Sequence, residues 1–184
     1  MLELLPELTS KPGAIMAACA FGYLAGSIPF GILISKVLGL GDLRKIGSGN
    51  IGATNVLRTG NKLAAFLTLL FDFSKGLCAV LIARQFLGED AVQVSAASAL
   101  MGHCFPIWLR FRGGKGVATF LGATIALSFI IGIICCFVWL FVAVVRKMSS
   151  LASLTSSASA PIAAIFLDNP STILLPVSYT HLTL

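Results

Sequence analysis

The run "FLGATIALSFIIGIICCFVWLFVAVV", residues 120–145, decides the class of fold. It contains 26 consecutive residues without a charged side chain, and about 20 apolar residues are enough for a helix to cross the hydrocarbon of a bilayer. It also lacks the two-residue alternation of a membrane β-strand. The run therefore predicts an all-α integral membrane protein. Either one tilted helix forms here, or Gly122, Ser128 and Gly132 allow two short helices joined by a tight turn near 127–131.

Further apolar runs continue this pattern along the chain. They cover residues 13–38, 63–86, 91–109 and 149–167. Of the 184 residues, 57% are hydrophobic and 11% are charged, whereas a soluble domain has about 25% charged residues. Glu3 and Glu7 precede the first run, and a cleavable signal peptide would begin with basic residues, so we expect a retained span. The sequence thus predicts one polytopic helical bundle, a single transmembrane domain over residues 1–184.

The net charge is +6, and the basic residues lie in short loops rather than along one stripe. Basic residues in short loops are typical of the cytoplasmic side of membrane proteins. This distribution argues against a nucleic-acid partner. Most basic residues lie in two polar segments, residues 39–62 and 110–119, here called the first loop and the second loop. If both loops and the pair Arg146–Lys147 are cytoplasmic, few basic residues remain outside. This bias predicts a multi-pass protein with both loops on the cytoplasmic face, and it favours two helices within 120–145.

The second loop contains "RGGKG", residues 112–116. Adjacent glycines allow successive backbone N–H groups to point at one anion. Lys115 adds a charge, and the segment that follows begins a helix whose free N–H groups favour phosphate. The spacing differs from that of a Walker P-loop. A tight turn with a basic cluster near lipid headgroups is the alternative interpretation.

The first loop contains "GSGNIGATNVLRTG", residues 47–60, between two long apolar runs. Its glycines permit tight turns, its Ser, Thr and Asn side chains supply short donors and acceptors, and Arg58 supplies a fork suited to phosphate. A re-entrant turn that satisfies its own backbone is the alternative. Two anion-binding loops on one face would hold two phosphorylated substrates side by side.

Two longer segments resemble a known family. "GSGNIGATNVLR" (47–58) and "GHCFPIWLRFRGGKGVAT" (102–119) closely resemble the signature segments of the bacterial acyl-phosphate:glycerol-3-phosphate acyltransferases, and "DFSKG" (72–76) and "SSLASL" (149–154) are also similar. The resemblance implies an enzyme of the bacterial inner membrane with seven spans and a cytoplasmic active site. It would transfer a fatty acyl group from acyl phosphate to the 1-hydroxyl of glycerol 3-phosphate, giving lysophosphatidic acid and phosphate.

The resemblance also implies roles for individual residues. The catalytic candidates are Ser48, Arg58, Lys115 and His103. The substrate-binding candidates are Asn50, Thr54, Asn55, Gly113, Gly114, Gly116 and Ser153. Ser48 and Arg58 would contact phosphate, the three glycines would offer backbone N–H groups to it, and Ser153 would face the site from a later helix.

Two sets of ionisable residues have alternative interpretations. His103 is either a general base on the glycerol hydroxyl or a histidine that orients its loop, and we favour the second because acyl phosphate is already activated. Asp72 and Lys75 lie three residues apart inside an apolar run. Charges in a membrane are usually paired, so they are either a structural ion pair or a support for the loops.

The end of the chain departs from the family pattern. Family members continue with a further span and a segment of the "HRxNIxRL" kind, whereas residues 171–184 read "STILLPVSYTHLTL". We expect this tail to be truncated or atypical, and His181 is not assigned a role. The sequence predicts no metal, no cofactor and no obligate protein partner. Membrane lipid is the expected surrounding of the chain. The alternative function is a transporter or lipid-binding protein with anion-binding loops.

Overall fold

The computed structural model describes residues 10–167 and residue 179. These residues form eight α-helices and no strand, which confirms the all-α prediction. The helices are α1 (Pro12–Gly26), α2 (Phe30–Val37), α3 (Ala53–Val56), α4 (Lys62–Phe86), α5 (Glu89–Cys104), α6 (Val117–Leu127), α7 (Phe129–Arg146) and α8 (Ser149–Phe166). Short 3₁₀ turns cover Leu43–Lys45, Leu57–Thr59 and Ile107–Leu109.

Four segments within the described residues are long and apolar enough to cross a membrane. They are Pro12–Val37, Lys62–Phe86, Glu89–Leu109 and Phe129–Arg146. Helix α6 is apolar but shorter, with 11 residues, and the serine-rich α8 is a helix without being one of the four. On α7, Phe137 and Phe141 are each 68% exposed, as expected for side chains that face lipid tails.

The run 120–145 forms two helices, as the charge bias favoured. Helix α6 ends at Leu127 and α7 begins at Phe129, with Ser128 in an extended conformation between them. The side chain of Arg84 donates hydrogen bonds to the carbonyl oxygens of Ala126 and Leu127. These carbonyl groups lie at the end of α6 and lack helical partners, so Arg84 stabilises the break.

The predicted span over 13–38 is confirmed as one apolar segment, Pro12–Val37, but the helix within it is broken in its middle. Helix α1 ends at Gly26 and α2 begins at Phe30, because Pro29 has no N–H to continue the helical ladder. The carbonyl oxygen of Ile28 accepts a 2.8 Å hydrogen bond from Lys75 Nζ on α4. A broken helix is tolerated in a membrane where neighbouring groups bond the backbone at the break. Here Lys75 bonds one carbonyl oxygen of the break, which also accepts from the N–H of Phe30 at 3.1 Å.

Glycines set the close approach of the helices around the site. A Cβ at Gly26 on α1 would collide with the backbone of Ala99 on α5, and one at Gly76 on α4 would collide with the carbonyl of Thr119 on α6. Small residues allow membrane helices to pack backbone against backbone. Helix α4 is therefore held against α6, and α6 begins at the second loop.

The predicted atypical tail, residues 171–184, lies outside the described residues except for Tyr179. The ring of Tyr179 is buried and stacks on Phe120 of α6, with ring centroids 4.6 Å apart. His181 also lies outside the described residues.

Candidate active site

The two loops meet at one large cavity. Its volume is about 1110 Å³, and it is bounded by the first loop, the N-terminal half of α4, the start of α6, the end of α7 and the start of α8. All sequence-predicted site residues except Gly113 and Gly114 line it. Those that line it are Ser48, Asn50, Thr54, Asn55, Arg58, His103, Lys115, Gly116 and Ser153.

Asn55 gives the first loop its shape. Its amide Nδ2 donates to the carbonyl oxygens of Leu43 (2.9 Å) and Asn50 (2.8 Å), while its Oδ1 accepts from the backbone N–H (3.2 Å) and the hydroxyl (3.4 Å) of Ser48. The side chain is buried. A buried amide with both ends bonded holds a loop in one conformation, which agrees with the pocket-shaping role predicted for Asn55.

Arg58 lies across the first loop and faces the cavity. Gly47 has a left-handed φ of 53°, and a Cβ at this position would collide with Arg58 Nη1. The absence of a side chain at Gly47 thus leaves room for the Arg58 side chain beside the loop. Ser48, Thr54 and Arg58 are exposed on the cavity wall, so their polar groups are accessible to a ligand.

The N-terminus of α6 opens into the cavity. Gly116 precedes the helix with a φ of 75°, which disfavours any residue with a Cβ. Lys115, Gly116, Val117 and Ala118 all line the cavity. Since the first N–H groups of a helix have no intrahelical acceptor and carry partial positive charge, this end favours an anion.

The N–H role predicted for Gly113 and Gly114 needs correction. The Gly113 N–H donates to the carbonyl oxygen of Cys104 (2.9 Å), and the Gly114 N–H donates to that of His103 (3.1 Å). Both donors are therefore used to fold the second loop onto the end of α5. A Cβ at Gly113 would collide with both carbonyl oxygens. The glycine requirement at this position is thus one of backbone packing.

His103 is buried at the base of the cavity, 4% exposed. Its Nδ1 lies 3.3 Å from the hydroxyl of Thr119 and 3.6 Å from Asp72 Oδ1. The ring edge that carries Nε2 packs on Gly114, where a Cβ would collide with Nε2. This packing fixes the second loop against α5 and restricts the approach of a hydroxyl to Nε2, so it supports the orienting role that we favoured.

Asp72 and Lys75 form the predicted ion pair. Lys75 Nζ lies 2.9 Å from Asp72 Oδ1, and both side chains are 4% exposed. The hydroxyl of Thr119 donates to the backbone oxygen of Asp72 at 3.0 Å. The pair lies on α4, and this part of α4 therefore contacts the break at Ile28, the buried His103 and the start of α6.

Ser153 lies on the α8 side of the cavity and is already hydrogen-bonded. Its hydroxyl donates to the carbonyl oxygen of Ser149 (2.7 Å) and accepts from Trp139 Nε1 (3.3 Å). Its hydrogen is thus used within α8, and the substrate contact predicted for Ser153 stays a prediction.

Sequence reasoning missed the third segment of the site, the connection between α7 and α8. Lys147, Met148, Ser149 and Ser150 line the cavity together with Lys62 at the start of α4. The sequence signal was present in the basic pair 146–147, which we used only for topology. Lys62 ends the first loop and lies on the cavity wall, so a substitution there would change the charge of the wall.

The cavity combines a cationic wall with an apolar one. Four basic side chains line it, those of Arg58, Lys62, Lys115 and Lys147. The carboxylate on its wall, that of Asp72, is already paired with Lys75. The apolar wall consists of Phe66, Leu69, Leu121, Trp139 and Val144. This arrangement suits a ligand with anionic groups and a hydrocarbon chain.

Comparison with known proteins agrees with this chemistry. Residues 16–184 match the family model described as glycerol-3-phosphate acyltransferase. A protein of that name from Jannaschia sp. is 53% identical over 170 residues, covering 92% of this chain and 84% of that protein. A second, from Cereibacter sphaeroides, is 59% identical over 155 residues, covering 84% and 77%.

Two solved structures share the fold. They are crystal structures of PlsY (YgiH), an integral membrane glycerol 3-phosphate acyltransferase, in a glycerol 3-phosphate form and a lysophosphatidic acid form. The first has a TM-score of 0.86 and 36% identity, the second 0.85 and 35%. Each match covers 93% of this chain and 86% of the other. This chain is therefore a multi-pass membrane acyltransferase and belongs to the glycerol-3-phosphate acyltransferase family.

Proposed function

We propose that this protein transfers a fatty acyl group from acyl phosphate to the 1-hydroxyl of glycerol 3-phosphate at the cytoplasmic face of the bacterial inner membrane. The observation that carries the proposal is the cavity, in which the cationic wall adjoins an apolar wall that extends among the helices. One substrate carries a phosphate and the other an acyl chain with a phosphate. The two phosphates would lie on the cationic wall and the acyl chain on the apolar wall. A transporter or lipid-binding function is disfavoured by the family membership.

The reaction balances without a covalent enzyme intermediate. The 1-hydroxyl oxygen attacks the acyl carbon, the bond between that carbon and the phosphate oxygen breaks, and the leaving phosphate takes the electron pair. The hydroxyl proton passes to a phosphate oxygen, so the products are lysophosphatidic acid and inorganic phosphate. The protein then has two tasks, to align the substrates and to stabilise negative charge.

Arg58 and Lys115 are our candidates for phosphate binding, with Ser48 and the N-terminus of α6 as hydrogen-bond donors. Arg58 offers two parallel donors, which match a phosphate. Asn50, Thr54 and Asn55 would shape the first loop around the glycerol 3-phosphate, and Ser153 would contact the substrates from α8. Gly113, Gly114 and Gly116 would maintain the backbone of the second loop, with Gly116 leaving the helix end open.

The test is acyl transfer by purified protein. Palmitoyl phosphate and radiolabelled glycerol 3-phosphate should give labelled lysophosphatidic acid and one equivalent of inorganic phosphate. Palmitoyl-CoA at the same concentration should give no product, and unphosphorylated glycerol should not replace the acceptor. Turnover with palmitoyl-CoA alone would overturn the donor, and no product from either donor would overturn the enzymatic proposal.

Orientation is tested by cysteine labelling from each side of the membrane. The starting protein needs Cys19 and Cys78 replaced, since both are exposed. A cysteine at Lys45, in the first loop, should react with a membrane-impermeant maleimide only from the cytoplasmic side. A cysteine at Gln85, at the far end of α4, should react only from outside. The reverse pattern would contradict a cytoplasmic site.

A further inference from the structure

Arg44 joins the two loops that border the cavity. Its Nη2 donates a short hydrogen bond to the backbone carbonyl oxygen of Arg112. Among the hydrogen bonds of residues 10–167, this is the one that connects the first loop to the second. Arg44 does not line the cavity itself, so any effect on substrates passes through the loops.

The backbone of Arg44 is fixed within the first loop. Its N–H donates to Asp42 Oδ1 at 3.0 Å, and this bond caps the 3₁₀ turn that begins at Leu43. The carbonyl oxygen of Arg44 lies close beneath Gly49, where a Cβ would be 3.1 Å away. Gly49 is next to Ser48 and Asn50 on the cavity wall. A displacement of Arg44 would therefore be transmitted to the first loop.

The second loop has two residues in a disfavoured backbone conformation just before the Arg112 carbonyl that accepts from Arg44. Arg110 and Phe111 have φ values of 53° and 61°, and residues with a Cβ rarely occupy this left-handed region. Such conformations persist where surrounding contacts hold them. The bond from Arg44 reaches the next residue, Arg112, three positions before Lys115.

We propose that Arg44 is a positioning residue that holds the first and second loops in register across the cavity. Its hydrogen bond keeps Arg58 and Lys115 at the spacing that two adjacent phosphates require. This inference rests on the proposed function for its kinetic consequence. The structural tether itself is independent of the reaction and can be measured without turnover.

The test compares two variants that each lose one exposed cation. Arg44→Met removes the donor, whereas Arg112→Met keeps the acceptor because the bond goes to the backbone oxygen. Loss of general positive charge would affect both variants alike. Arg44→Lys retains a donor on a shorter side chain and is the rescue variant. Lys45→Met, in the same turn but with no part in the tether, is a second charge control.

We expect kcat to fall about tenfold in Arg44→Met, with a smaller change in the KM for glycerol 3-phosphate and an unchanged Tm. Arg112→Met and Lys45→Met should stay within about twofold of the parent, and Arg44→Lys should recover part of the loss. Hydrogen exchange of the peptide that contains Gly113 and Gly114 should accelerate in Arg44→Met alone.

Equal kinetic and exchange effects in Arg44→Met and Arg112→Met would overturn the tether. A parent protein that fails to use acyl phosphate would overturn the proposed function instead. Faster exchange in Arg44→Met alone would still support the structural role in that case, so the two failures are distinguishable.

Discussion

The two loops that face each other across the cavity keep their shapes by different means. The first loop is closed by side chains, chiefly the buried amide of Asn55 and the Asn50 Oδ1 that accepts from the N–H of Gly52. The second loop is closed by its backbone, through the N–H groups of Gly113 and Gly114. The first loop should therefore be sensitive to loss of a polar side chain, and the second to gain of a methyl group.

The largest effect is expected from a methyl group in the second loop. Gly113→Ala places a Cβ against the carbonyl oxygens of His103 and Cys104, and backbone atoms cannot move aside as a flexible side chain would. We expect kcat/KM for glycerol 3-phosphate to fall about 100-fold, about 2.7 kcal/mol. Gly13→Ala, where nothing lies within 4 Å of the new methyl group, is the matched control. Normal kinetics in Gly113→Ala would show that the second loop tolerates a shift.

The corresponding change in the first loop is Asn55→Ala. It removes the side-chain donor from the carbonyl oxygens of Leu43 and Asn50, of which that of Leu43 keeps the N–H of Ile46. We expect the free energy of unfolding to fall by about 2 kcal/mol and the KM for glycerol 3-phosphate to rise.

Asn61→Ala provides the control for stability alone. Its Oδ1 accepts from the N–H of Ala64 at the start of α4, and it does not line the cavity. Losing this cap should cost about 1 kcal/mol with KM unchanged. If both variants changed only stability, Asn55 would have no part in shaping the site.

Smaller effects are expected where each loop presents charge to the ligand. Lys115→Ala and Arg58→Lys should each lower kcat/KM about tenfold, since a charge-assisted hydrogen bond contributes about 1.5–3 kcal/mol and exposure at the wall reduces it. Arg58→Lys keeps the charge and loses the two-pronged geometry. The assay uses limiting glycerol 3-phosphate, with Lys45→Ala as the control because Lys45 does not line the cavity. Near-normal rates in both variants would mean that the loops are only turns.

Sequence reasoning succeeded where the signal was local. The possible break between α6 and α7 followed from Ser128 with its neighbouring glycines, and the distribution of basic residues over the two loops and 146–147 favoured it. The break between α1 and α2 was missed although Pro29 is visible. Whether a membrane helix can break at a proline depends on which groups bond the backbone at the break, and one of those groups here is Lys75, which bonds the carbonyl oxygen of Ile28, 47 residues away along the chain.

The dependence on contacts that are distant in sequence also explains which parts of the candidate site could be predicted. The two motifs supply nearly half of the residues that line the cavity, because glycine, short polar and basic residues cluster in them. The roles of individual glycines could not be predicted from the sequence. Gly113 and Gly114 resemble phosphate-binding residues, and only the structure shows that they pack on the carbonyl groups and the His103 ring of α5. Lys147 was missed for a related reason, because only the packing of α7 on α8 brings its loop to the cavity.

The smallest effect is expected at His103, where the end of α5 meets the second loop and α4. His103→Asn retains a polar group near the position of Nδ1, close to Thr119 and Asp72, and removes the ring edge that packs on Gly114. If His103 orients the second loop, kcat should fall only several-fold and Tm should fall with it. Loss of a general base would lower kcat by about 100-fold or more.

The double variant His103→Asn/Gly114→Ala separates these interpretations further. In the parent protein the alanine methyl group collides with the imidazole, so Gly114→Ala alone should be harmful. With the ring removed, the same methyl group has room, and the double variant should be no worse than Gly114→Ala alone. Residues in contact show such non-additivity, whereas independent residues add. A loss of 100-fold or more in His103→Asn, with additive effects in the double variant, would reassign His103 from orienting the loop to proton transfer.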